Sequence, residues 1–148
     1  MMIRPYHERD CETVLDIWYR ASRVGHPFIS DAELRRQREE IRTVYIPKAA
    51  QWLAEIDGRV AGFIAMLGNF IGGLFVDPGF HRRGVASSLV DFVRRSQPCL
   101  TVEVFRDNHI GRAFYEHCGF VLLRELTNEN TGLPAMILEI GGEASATE

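Results

Sequence analysis

Gly72-Gly73-Leu74-Phe75-Val76-Asp77-Pro78-Gly79-Phe80-His81-Arg82-Arg83-Gly84-Val85-Ala86 runs from an apolar segment through a turn into a basic, glycine-bearing loop. From Val85 the apolar residues fall at 85, 86, 89, 90 and 93, one face of a helical period, with Ser87, Ser88, Asp91 and Arg94 elsewhere. The stretch reads as a strand over 71–76 feeding a helix over 84–96 whose start carries glycine and two arginines. The first amides of a helix lack intrahelical partners and sit at the positive end of its dipole, so a start without bulky side chains suits phosphate. Gly84 lets a ligand approach the backbone, Ala86 is nearly as small, and Arg82 and Arg83 can add charge-assisted contacts. On these residues alone, a plain helix entry with a solvated arginine pair fits equally well.

Downstream lies Leu100-Thr101-Val102-Glu103-Val104-Phe105-Arg106-Asp107-Asn108, then His109 to Phe120 with Ala113, Tyr115, Glu116, Gly119 and Phe120. Together the two stretches resemble the paired signatures of the GNAT superfamily of N-acetyltransferases. The first is similar to its acyl-CoA motif, with Gly84 and Ala86 in the small positions and His81 where Gln or Arg is usual. That departure spares an amide cradle, because main-chain nitrogens need no particular side chain at residue 81. The second is similar to a strand LxxEV followed by a helix carrying Asn, Ala, Tyr-Glu and a closing Gly-Phe. Two motifs in this order and at this gap are more specific than either alone.

The resemblance implies an α/β (α+β) fold: a mixed, mainly antiparallel sheet of six to seven strands, helices on both faces, and a splay between strands 4 and 5. It implies acetyl transfer from acetyl-CoA to a primary amine by direct attack in a ternary complex, with no metal. Amides of Arg82, Arg83, Gly84, Val85, Ala86 and Ser87 would hold the pyrophosphate. Leu74, Phe75 and Val76 would pair with the pantetheine arm as a strand pairs with a peptide. Tyr115 stands at the general-acid position, where a phenol of ordinary pKa about 10 can protonate a departing thiolate. Read from the helix alone, Phe114 and Cys118 continue an apolar stripe and Tyr115 lies to one side of it. Asn108 would bond the pantetheine or cap the following helix.

Two residues compete as base. Glu103, flanked by Val102 and Val104, points to the opposite strand face from theirs, and a Glu here is similar to the base of protein N-terminal acetylating members. His26 titrates near neutrality and sits in the loop Gly25-His26-Pro27-Phe28, which in this fold would overhang the acceptor. The acceptor is a small-molecule or peptide amine, with a small molecule slightly ahead of a protein N-terminus or lysine. Phe28, Ile29, Tyr45 and Trp52 suit either a substrate wall or the core. A non-catalytic acyl-CoA-binding sensor is the alternative, and the pairing of Tyr115 with Glu103 favours catalysis.

The remaining chain fills out this plan. A strand over 2–6 precedes a helix with Cys11, Val14, Leu15, Trp18 and Ala21 on one face, and Ser30 or Asp31 caps a second helix reaching Arg42. Its run from Arg35 to Glu40 reads as a solvated face. Asp57-Gly58 between the apolar runs 51–56 and 60–67 signals a type I′ hairpin. Strands over 99–105, 120–127 and 134–140 and a helix over 108–118 complete a single domain, 1–140, with a frayed tail over 141–148.

A net charge of −3 argues against a general nucleic-acid binder. Of 17 basic residues only Lys48 is lysine, so a lysine-directed enzyme would offer itself almost no target. Cys11, Cys99 and Cys118 lack metal-ligand spacing and read as buried free thiols. Without a signal-like or membrane-length apolar run, a cytoplasmic location is expected, and the fold leaves room for a homodimer.

Overall fold

The computed structural model describes residues 1–142, so the tail expected from residue 141 lies outside the described residues from 143 onward. The first half comprises β1 (Met2–Pro5), α1 (Cys11–Gly25), α2 (Asp31–Glu40), β2 (Ala50–Ile56) and β3 (Arg59–Leu67). The second half alternates: β4 (Phe70–Val76), α3 (Val85–Arg94), β5 (Leu100–Phe105), α4 (His109–Cys118), β6 (Val121–Thr127) and β7 (Pro134–Ile140). One seven-stranded sheet results, in the order β1-β2-β3-β4-β5-β7-β6. Every neighbouring pair is antiparallel except β4 with β5, which α3 joins as a crossover.

Alternation along the strands sorts side chains into two cores. Leu53, Phe63, Phe75 and Phe105 pack with Val14, Ile17 and Trp18 of α1 and Leu34 of α2. On the other face, Ile64, Ile71, Val102, Val104 and Leu138 pack with Val85, Leu89 and Val93 of α3 and Tyr115 of α4. Helices therefore cover both faces, as expected. The Asp57-Gly58 turn is the expected type I′, with φ of 53° and 76°, and it sets Ile56 opposite Arg59. The solvated face of α2 carries Asp31–Arg35, Glu33–Arg36 and Arg36–Glu40 pairs, and Arg38 reaches Asp16 of α1 at 2.8 Å.

Several details differ from expectation. The second helix keeps α geometry only to Glu40 and continues as a π turn over Ile41–Tyr45, with Ile46 N–H donating to the Ile41 carbonyl at 2.9 Å. Trp52 leaves the acceptor side altogether: its ring packs 5.8 Å from Phe92 on the α3 face. Tyr115 lies in the core rather than beside the apolar stripe, because α4 turns it between the rings of Phe114 and Phe120, each 5.1 Å away. The three cysteines are free but half-buried rather than buried.

Where β4 and β5 part defines the rest of the molecule. They pair only at Phe70 with Thr101 and Ile71 with Val102; beyond that point no register joins them. Against β3 the register jumps from Met66–Ile71 to Ala65–Gly73, leaving Gly72 as an extra residue in β4. A bulge of this kind bends and twists its strand, and here it falls where β4 must turn from β5.

Candidate active site

The cradle loop is built by its neighbours. Asp77, buried at the end of β4, accepts from Gly79 N–H at 2.9 Å and pairs with Arg20 of α1 at 2.9 Å. That pins the turn before the basic loop, and Phe80 anchors its middle in the core, with the guanidinium groups of Arg59 and Arg83 over its ring. Arg82 then adopts φ 64° and Gly84 φ 75°, so the chain doubles back before α3. The first intrahelical bond is Ser88 N–H to the Gly84 carbonyl, and among the described residues no side chain caps the helix. The amides of Val85, Ala86 and Ser87 therefore remain available at the positive end of the dipole. A Cβ placed on Gly84 would meet no atom within 4 Å, so the approach to these amides is open.

A cavity of about 850 Å³ connects this cradle to the splay. Gly84, Ala86 and Ser87 line one end; Leu74, Phe75 and Val76 of β4 line the middle with Glu103, Asn108 and Tyr115; Tyr45, Gln37 and Gln51 line the other end. Asp77 N–H points to Ala61 of β3, so strand alternation turns the Leu74 and Val76 amides toward the gap left by β5.

Glu103 lies on the α1 side of β5, opposite in direction to Val102 and Val104. Its carboxylate accepts from Asn128 Nδ2 at 2.6 Å. Asn128 is itself fixed, since its Oδ1 accepts from Asn130 N–H and Thr131 N–H at 3.0 Å each. This β6–β7 loop lines the cavity and was not anticipated; the cluster Asn128-Glu129-Asn130-Thr131-Gly132 signals a side-chain-bonded turn but not the strand it meets.

Of the two roles expected of Asn108 the structure shows the cap: its Oδ1 accepts from Gly111 N–H at 2.9 Å, while Nδ2 lies 3.2 Å from His26 Nε2, a partner the sequence did not suggest. Because Gly111 fixes the oxygen, the nitrogen must face His26, so Nε2 is the acceptor and the ring proton sits on Nδ1. The rings of Phe28, Phe75 and Phe105 surround His26, and burial lowers its pKa to about 4. Tyr115 is shifted the other way: burial, with a smaller contribution from Cys118, raises its phenol above the ordinary value.

The His26 shift predicts a stability change. Unfolded, the imidazole gains a proton below pH about 6.5, whereas the folded group resists until about 4, so stability is full above 6.5 and falls across that window. Between pH 7 and 5 this one group should cost about 2 kcal/mol. Urea unfolding of His26→Gln should show a smaller loss over the same interval; an identical loss would mean that His26 is not the group responsible.

A phosphate-ready helix start leading into a splayed parallel pair defines an acyl-CoA-dependent transferase. The GNAT acetyltransferase domain model matches residues 47–122, and the chain belongs to that family. It is 31% identical over 138 residues to the peptidyl-lysine N-acetyltransferase YiaC of Escherichia coli, covering 93% of this chain and 94% of that protein. It is also 31% identical to the peptidyl-lysine N-acetyltransferase YjaB of the same organism, over 93% of this chain and 94% of YjaB. The solution structure of apo YjaB superposes with a TM-score of 0.85 at 26% identity, covering 95% of this chain and 97% of that one. The PaiA N-acetyltransferase of Thermoplasma acidophilum, in complex with coenzyme A, shares the fold at TM-score 0.75 and 18% identity, over 94% and 97% of the two chains. The protein is an acetyl-CoA-dependent acyltransferase.

Proposed function

We propose that this enzyme acetylates the side-chain amine of a peptidyl lysine, by direct attack on acetyl-CoA held between β4 and β5. The observation that carries the reading is the single cavity in which the bare α3 amides, the open edge of β4, Glu103 and Tyr115 meet. The likeness to YiaC and YjaB, over nearly the whole of each chain, moves the acceptor from the small amine expected from sequence toward lysine.

When bound, acetyl-CoA supplies an activated thioester. Amides of Val85, Ala86 and Ser87, with Gly84, Arg82 and Arg83, hold its diphosphate, and the β4 edge at Leu74, Phe75 and Val76 aligns the arm. The Leu74 amide, turned to the gap, meets negative charge developing on the thioester oxygen; one such fixed donor typically contributes about 3 kcal/mol. Glu103, oriented by Asn128, takes the proton from the incoming ammonium. His26 suits that task less well, since its Nε2 lone pair is occupied by Asn108 and the rings of Phe28, Phe75 and Phe105 enclose it. It instead holds Asn108 in place. Phe28 packs on Phe105 and His26 beside the acceptor end, and Tyr45 lines that end directly. Tyr115 returns a proton to the departing sulfur.

Thiol release from acetyl-CoA, measured with peptides containing one lysine or with that lysine pre-acetylated, tests the reading. Release only with the unmodified lysine, and mass gain at that residue, is expected. Coenzyme binding without any amine-dependent release would instead favour the sensor. With a lysine peptide, Glu103→Gln should lower kcat about a hundredfold or more near neutral pH; a normal rate would remove Glu103 as base.

A further inference from the structure

We propose that Gln51 is a specificity-determining residue that reads an amide group of the acceptor, set back along the chain from the amine that receives the acetyl group. This deepens the lysine reading and rests on it.

Gln51 of β2 pairs with Ala65 of β3, and Ala65 pairs with Gly73 of β4. Directly paired residues share a sheet face, and this row shares its face with Leu53, Phe63 and Phe75 two residues along, beneath α1. Glu103 lies on the same side of β5. The row therefore forms a trough with polar ends at Gln51 and Glu103 and a floor of two very small residues. Trp18 and Ile41 line the same cavity from α1 and the π turn.

Gln51 is 5% exposed, yet among the described residues neither Nε2 nor Oε1 has a hydrogen-bond partner. A buried carboxamide left so destabilises the fold, because its lost hydration is not replaced. Such a side chain lining a cavity is accounted for by a ligand that supplies an acceptor and a donor together. A peptide group does so with its C=O and N–H, whereas a protonated alkyl polyamine offers donors only. Two strand spacings, about 10 Å, separate β2 from β4, so Gln51 meets the portion of the acceptor that carries the amine, not the amine itself. For lysine that portion is the main chain.

Two acceptors with the same terminal amine separate the possibilities: Nα-acetyl-lysine methylamide, which carries two amides, and cadaverine, which carries none. The quantity to follow is the ratio of kcat/KM for the first over the second, so that any partial loss of folded enzyme cancels. Gln51→Met keeps the length of the side chain without its polar head, and it should lower that ratio about tenfold or more. Its thermal midpoint should hold or rise, since an unpartnered buried amide has been removed. An unchanged ratio overturns the proposal, whether both rates fall together or neither does; turnover then persists and acetyl transfer stands. A wild-type preference for cadaverine overturns it as well. If the wild-type enzyme acetylates neither amine while binding coenzyme A, the transfer reading fails and this one falls with it.

Discussion

Gly84→Asp is expected to raise the dissociation constant for coenzyme A at least a hundredfold, while Gly84→Asn, nearly the same shape, raises it about tenfold. Residue 84 sits at φ 75°, in the left-handed region, where Asn and Asp are the side chains that L-residues accept most readily. A Cβ there meets nothing within 4 Å, so either variant should fold. What the new side chain does meet is the ligand, since it projects beside the amides of Val85, Ala86 and Ser87. Asparagine obstructs the approach; aspartate also sets a negative charge against a diphosphate. At about 4 Å and an effective dielectric near 20, that repulsion is about 4 kcal/mol, enough for the larger loss even after partial rearrangement. Calorimetric titration with coenzyme A reads both variants. Wild-type affinity in the aspartate variant would mean that the diphosphate is not held at this helix start.

The sheet was legible because its signals are local. The Asp57-Gly58 pair specifies its own turn, and alternation around Glu103 gives its direction without any knowledge of neighbours. The splay was reached through resemblance, since nothing in Gly72 to Val76 itself states that hydrogen bonding to β5 stops after Ile71. The π turn over Ile41–Tyr45 was missed because it shifts hydrogen bonding by one residue, which side-chain periodicity over five residues does not register. Residues whose chemistry depends on distant partners were the least legible. Asn128 meets Glu103 across 25 positions, and His26 acquires its lowered pKa from aromatic rings contributed by separate elements. Gln51 reads in sequence as one polar residue at a strand start; only the pairing with Ala65 and Gly73 places it in a trough.

Tyr115→Phe is expected to lower kcat by a hundredfold or more, with the coenzyme A dissociation constant nearly unchanged. The substitution keeps the ring between Phe114 and Phe120 and removes only the hydroxyl, so α4 should stay packed and the thermal midpoint should change little. Burial raises the phenol's pKa, which keeps its proton in place throughout the working pH range. That same shift makes it a weaker acid, and the objection is answered by the site itself. A thiolate leaving into the same enclosed space loses hydration too, so its basicity rises alongside that of the phenol and burial need not widen the gap between them. In water that gap, between a thiol near 8.5 and a phenol near 10, makes the transfer uphill by only about 2 kcal/mol, a small part of an acyl-transfer barrier. A fall in kcat with unchanged affinity is therefore the signature of an acid acting on the leaving group. Weakened affinity at normal kcat would make Tyr115 a wall of the coenzyme channel, and the departing sulfur would then have to take its proton from solvent or from the nitrogen that has added to the thioester carbonyl.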